Sequence, residues 1–263
     1  MLTEEAMVSI QQAPDPLLAC ILDMGELLLS NGAEVLRVED TVSRLCAAYG
    51  FCRINVFSIT SSIVLTVHTS DGRSFTQTRR ITARGTNLQK VDLLNTLSRQ
   101  LCNTPVSAEN FREKLENIRQ LQAFPQWIQC LSYAVISSSF TVFFGGTALD
   151  GLAAAISGLL VFCFQYFVNK LRMNSILQSV VISAFTAFAV TLMVRAGLGT
   201  HPELITIGNI MLLIPGIAFT TSLRDIINGD TISGLVGISE AVLKAIAIAI
   251  GFAAVLVQMG GVA

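Results

Sequence analysis

The sequence predicts an α-helical multi-pass membrane domain preceded by a soluble α+β domain with a small antiparallel sheet. Three observations predict it. First, charge is uneven: 52% of the 263 residues are apolar and 13% charged, yet residues 1–125 carry 12 Lys/Arg and 13 Asp/Glu, whereas residues 126–263 carry 5 of each. That split implies two regions in two solvents. Second, the apolar period in the front half changes from helical to alternating and back. Third, the back half is a series of apolar segments with short separators. The expected domains are therefore 1–125, a cytosolic α+β domain, and 126–263, a membrane domain of about five transmembrane helices.

Taken in order, Leu17, Leu18, Ile21, Leu22, Gly25, Leu28 and Leu29 repeat at helical spacing with Asp23 and Glu26 opposite. Ser30-Asn31-Gly32 stops that helix. Val35, Val38, Val42, Leu45, Cys46 and Tyr49 form the apolar stripe of a second helix, closed by Gly50, so the two make a helical hairpin. Glu39 falls inside that stripe. A carboxylate there needs donors or a cation, or its pKa must rise; it is either a structural tie to the sheet or a proton-sensitive group. Arg37 is one turn from Glu34, and Asp40–Arg44 is an ordinary i,i+4 pair.

Cys52–Thr60, Ser62–Thr69 and Arg73–Thr82 read as three strands, with Ser70-Asp71-Gly72 as a hairpin turn. His68, with no partner at motif spacing, reads as an exposed strand histidine rather than a ligand. Thr86-x-x-Gln89 is expected to cap a helix running to Asn103, and Ser107 a further one. Phe124-Pro125-Gln126-Trp127 marks the approach to the membrane, where Trp127 suits the aromatic belt.

The apolar segments are Trp127–Gly145, Gly151–Val168, Ile176–Arg195, Leu204–Ser222 and Ile232–Met259. The chain starts without a basic n-region, and Asp23 and Glu26 interrupt its first apolar patch, so no signal peptide is expected and the front half is expected in the cytosol. On that basis Arg112, Lys114, Arg119, Lys170, Arg172 and Arg224 fall inside and Arg195 outside, which sets the N-terminus in and the C-terminus out. The fourth segment is broken at Pro215-Gly216. Proline removes a backbone donor, and such a break persists in lipid only where protein or a water-filled cavity satisfies the freed groups. Broken helices are common transporter sites, though a plain kink before a short loop fits equally.

Candidate residues of a substrate path or gate are Asp150, Asn209, Pro215, Gly216, Arg224, Asp225, Asp230 and Glu240. Arg224 suits a substrate carboxylate; Asp150 and Asp230 suit an ammonium or a proton. Asp150 equally suits a cap of the second span, Asn209 a polar partner for the break at Pro215, and Glu240 with Lys244 either a polar wall of the path or an i,i+4 surface pair. The charged turn Arg224–Asp230 is expected to meet Glu34, Arg37 and Glu39.

Other classes are excluded or unsupported. A net charge of −1 gives no nucleic-acid footprint. Six scattered cysteines without a C-x-x-C pair and two distant histidines argue against a metal site or a disulfide framework. There is no G-x-x-x-x-G-K-[ST], H-E-x-x-H or G-x-S-x-G, so neither ATP-driven transport nor enzymatic hydrolysis is supported, and no cofactor is expected.

Asn31-Gly-Ala-Glu-Val-Leu-Arg-Val-Glu-Asp40, a G-x-E-x-x-R-x-E pattern at the hairpin turn, resembles the signature of the threonine/serine exporter family. So do Thr78-Arg-Arg80, Arg84-Gly85, Gly145-Gly146 with Asp150, Ile214-Pro-Gly216, and Gly229-Asp230 with Gly234. The chain resembles the split form: a five-span subunit with a cytosolic front domain, ending at Gly260-Gly-Val-Ala263 without the second set of spans of the fused form. The resemblance implies a non-enzymatic secondary exporter subunit in the cell (inner) membrane, acting on threonine/serine, or on succinate, with a second smaller multi-pass subunit. A homo-oligomer is compatible with the odd number of spans. Gly32, Glu34, Arg37, Glu39, Arg79 and Arg84 are the expected front-domain motif residues. The alternative class is a membrane-anchored regulatory domain without transport.

Overall fold

The computed structural model describes residues 14–82, 85–122, 124–171 and 173–259. They form two compact units, one of residues up to 122 together with Ile217–Ile238, the other of residues from 123 to Gly216 together with those from Ser239.

In the first unit, α1 (Pro14–Ser30) is the central element. Leu17, Cys20, Ile21, Leu22, Met24 and Leu28 are all fully buried. It packs on α2 (Val35–Ala48), on α4 (Ala108–Arg119) and on strand β3 (Ser74–Arg80). A Cβ at Gly25 would come within 3.0 Å of Ile63 Cδ1, so glycine there lets α1 lie close on β2 (Ser62–His68). The hairpin turn is held from outside: Gly85 N donates to Ser30 O (2.9 Å) and Asn87 N to Asn31 O (3.0 Å). Gly32 has φ +93°, and a Cβ on it would sit 3.2 Å from Gly85 O, so both angle and space require glycine.

The sheet is antiparallel in the order β1-β2-β3, with β1 spanning Cys52–Ile59. Alternation of β2 puts Ile63, Leu65 and Val67 at 0% exposure. Helix α3 (Leu88–Asn103) adds Leu94 and Leu101 to the core. Its cap differs from the expected one: Asn87, not Thr86, accepts from Lys90 N at 3.0 Å, because the turn already engages Asn87 N. Ser107 caps α4 as its spacing predicts, accepting from Asn110 N. Tyr49 OH donates to Val106 O (3.1 Å), and its ring stacks near Phe111.

The second unit is built from α5 (Gln126–Phe143), α6 (Ala148–Asn169), α7 (Ser175–Arg195), α8 (Pro202–Leu213) and the later part of α10 (Thr231–Gln258). Three helices among the described residues are long and apolar enough to cross a membrane: α6, α7 and α10. A fourth span is available if α8 and α9 (Gly216–Ile227) count as one. The expected five is thus not reached by length and composition, because glutamines and a run of serines dilute the 18-residue α5.

Packing in this unit rests on small residues. A Cβ at Gly158 on α6 would lie 2.8 Å from Tyr133 O of α5, and one at Gly208 of α8 would lie closer still, 2.6 Å from Ser137 O. Lipid tails are as apolar as leucine, so close backbone approach replaces hydrophobic burial as the source of packing energy.

Candidate functional site

The break in the fourth apolar segment has a local cause. Proline disfavours the α conformation of the preceding residue, and Ile214 adopts φ −64°, ψ 129°. Helix α8 therefore stops at Leu213, and α9 starts at Gly216. Beside Pro215 lies a cleft of about 240 Å³. Gln165 and Asn169 of α6, Gln178 and Ser179 of α7, and Lys244 of α10 supply its polar lining, and Leu212, Leu213 and Ile248 an apolar wall. The carboxamides are oriented: Tyr133 OH donates to Gln165 Oε1 at 2.9 Å, and Gln178 Nε2 donates to Asn169 Oδ1. Lys244 is half-buried and is the one cation among the described lining residues. A cleft with one ammonium, several amide donors and acceptors and an apolar wall suits a small carboxylate-bearing molecule.

Asn209 lies elsewhere in the unit. It is fully buried, and its Nδ2 donates to Ser157 Oγ (2.7 Å) and Ile205 O (2.9 Å). It joins α8 to α6, and its Nδ2 is committed there and to a carbonyl one turn back on its own helix rather than to the break at Pro215.

Asp150 is fully buried at the start of α6. One carboxylate oxygen accepts from Thr200 N (2.6 Å) and His201 N (3.0 Å). The other accepts from Thr147 N (2.9 Å), Thr147 Oγ1 (2.7 Å) and His201 Nδ1 (2.8 Å). Thr147 and Asp150 form a reciprocal capping box. The same carboxylate latches the loop before α8. Hydrogen bonding to Asp150 raises the pKa of the half-exposed His201.

Arg224, Asp225 and Asp230 belong to the first unit. Arg224 Nη1 meets Glu34 Oε1 at 2.5 Å. Asp225 is 6% exposed, and its Oδ1 accepts from Val35 N (3.3 Å), placing a negative charge at the α2 N-terminus, where the helix dipole favours it. Asp230 Oδ1 accepts from Ser233 N at the start of α10. Glu39 Oε1 accepts from Ser58 N at 2.6 Å, tying α2 to β1. Burial raises its pKa against that bond, and the Asp230 charge adds to the rise. Arg79 pairs with Asp23 at 2.9 Å, joining sheet to α1. Arg37 lines a groove on α2 instead of pairing with Glu34. Gly32 makes the hairpin turn, Glu240 is exposed on α10, and Arg84 lies outside the described residues.

The candidate residues thus fall into separate groups. Of them only Pro215 lines the cleft. Gln165, Asn169, Gln178 and Ser179 were missed, although glutamine or asparagine within or beside a membrane-grade segment is the available signal.

Apolar helices of spanning length and a further helix pair broken at a proline define a multi-pass membrane protein, with a polar cleft beside the break. The threonine/serine exporter family profile matches residues 19–259, and the chain belongs to that family. It is 22% identical over 245 residues to a probable threonine/serine exporter of Mycobacterium tuberculosis, covering 91% of this chain and 45% of that protein. It is 24% identical over 229 residues to the threonine/serine exporter of Corynebacterium glutamicum, covering 84% and 46%. The chain thus spans about half the length of these exporters. It is also 23% identical over 244 residues to a probable succinate transporter subunit of Escherichia coli, covering 91% of this chain and 93% of that protein. No solved structure matches.

Proposed function

We propose that this chain is one subunit of a secondary transporter that exports a small carboxylate-bearing metabolite, threonine or serine in the first place, with a second, smaller multi-pass subunit. In this reading α5, α6, α7, the α8–α9 pair and α10 are five spans of the cell (inner) membrane, with the front domain in the cytosol. The observation that carries it is the Lys244 cleft beside the Pro215 break: an ammonium and oriented carboxamides together suit a carboxylate at the place where a helix is interrupted. The family supports the amino-acid substrate. The name of the Escherichia coli relative, matched along nearly its whole length, supports a subunit role.

A second reading, export of a dicarboxylate such as succinate, is favoured by one feature: among the described residues lining the cleft there is a cation and no carboxylate to hold an ammonium. Counterflow of labelled threonine, serine and succinate in vesicles carrying this chain, with and without the smaller subunit, separates the two. Succinate flux without threonine or serine flux selects the dicarboxylate. No flux of any of them sinks the exporter reading. Lys244→Gln, expressed normally, is expected to lower flux about tenfold or more, the worth of a charge-assisted hydrogen bond; unchanged flux removes the cleft from the path.

A further inference from the structure

A second polar recess lies in the first unit, between α2 and α3, with a volume of about 480 Å³. Arg37, Asp40 and Arg44 form one wall, and Asp92, Asn95 and Arg99 the other. These positions follow from helical spacing: 37, 40 and 44 share one face of α2, and 92, 95 and 99 one face of α3. Thr41 and Ser98 are buried on the floor, 8% and 7% exposed. Their hydroxyl protons are committed to Arg37 O and Asn95 O, which leaves their oxygens as acceptors toward the groove.

The charges divide into two kinds. Arg44 is closed onto Asp40 at 2.8 Å. Arg37 on α2 and Asp92 on α3 are not closed: among the described residues neither has an ion-pair or hydrogen-bond partner for its charged group. Arg99 donates only to Thr96 Oγ1, at 3.3 Å. The groove thus holds two guanidinium groups and one carboxylate free to bind, with acceptor oxygens between them. A polyanion would meet Asp92 and Asp40. A simple cation would meet three arginines. A molecule bearing both a carboxylate and an ammonium meets neither penalty.

We propose that the α2–α3 groove binds a small zwitterion of the α-amino-acid class, its carboxylate on the arginines and its ammonium on Asp92. Guanidinium forks match carboxylates bidentately. The groove is built from residues other than those of the Lys244 cleft. Its α2 wall is also the helix whose first turn receives Asp225 and Arg224, on the segment that follows the Pro215 break. Occupancy therefore bears on a helix already joined to that segment, which makes the groove an effector site.

The test is hydrogen exchange on the full chain in lipid nanodiscs, with L-serine, succinate and inorganic phosphate as probes. The expected result is serine-dependent protection in residues 37–44 and 92–103, weakened about tenfold or more in apparent affinity by Arg99→Gln and by Asp92→Asn, and retained in Lys244→Gln. These exposed polar changes leave the core intact, and unchanged exchange elsewhere in the unit verifies it. Equal protection by succinate or phosphate overturns the zwitterion, since neither carries an ammonium. Serine protection confined to the cleft residues, or absent altogether, overturns the site. If counterflow fails for every substrate while the groove is still protected, the transport reading falls and the groove stands.

Discussion

The two units of this chain bury different things. In the unit of residues up to 122 with 217–238, one continuous apolar core runs from Leu17 to Leu115, with Leu22, Val42, Ile63 and Leu94 all at 0% exposure. In the unit of residues 123–216 with those from 239, the buried apolar residues fall into three small clusters. Between them sit fully buried hydroxyl, amide and carboxylate groups: Ser137, Thr141, Ser157, Asn209 and Asp150. Large apolar side chains such as Leu131, Phe143, Leu152 and Phe167 are instead exposed. In water, expelling apolar surface drives the first arrangement. In lipid it drives nothing, so helices are joined by glycine contacts and polar bonds while large side chains face the hydrocarbon. The lesson is that a buried residue means different physics in the two units.

The largest effect that tests this contrast comes from paired core substitutions. Leu94→Ala is expected to destabilise the first unit by about 2–5 kcal/mol, through lost transfer energy and a cavity. Gly158→Val is expected to cost the second unit about 1–3 kcal/mol, because the new atoms meet Tyr133 O, a backbone group that cannot rotate away. Hydrogen exchange in nanodiscs reads each unit separately. If either change lowers protection equally in both units, the contrast fails.

A smaller effect separates shape from charge at Glu39. Glu39→Ala leaves Ser58 N without its partner and is expected to cost about 1–3 kcal/mol. Glu39→Gln keeps an acceptor oxygen and removes a charge that burial and Asp230 disfavour; its stability is expected to equal or exceed that of the parent above neutral pH. Thermal unfolding of both variants checks this, and equal losses would assign the effect to the charge instead.

The smallest effect concerns the latch of the second unit. The pKa of His201 is raised by its bond to Asp150, so its contribution is fully present below the unfolded value of about 6.5 and fades as pH rises through the higher folded value. The stability difference between parent and His201→Ala is therefore expected to be largest near pH 5.5 and to shrink toward pH 8.5. A difference that does not change with pH would mean that the ring acts only by packing. The other bonds to Asp150 keep the latch closed in either case.

The helical hairpin, the three strands and their turn, the apolar series and the break at Pro215 were all legible along the chain, because these follow from local periodicity, glycine and proline geometry and solvent preference. The oddity of Glu39 was also legible, since a carboxylate inside an apolar stripe requires a partner, though only the fold identified Ser58 N as that partner. Tertiary structure alone decided the rest. Charge divides the chain near residue 125, but packing groups 217–238 with the front unit, where Arg224 and Asp225 bond to Glu34 and Val35 across 190 positions. Asp150 carries no sequence mark that separates a cap from a path residue; its donors beyond the Thr147 cap come from a loop 50 residues away. The cleft, too, is a convergence of four helices on one lysine, and no spacing along the chain encodes a convergence.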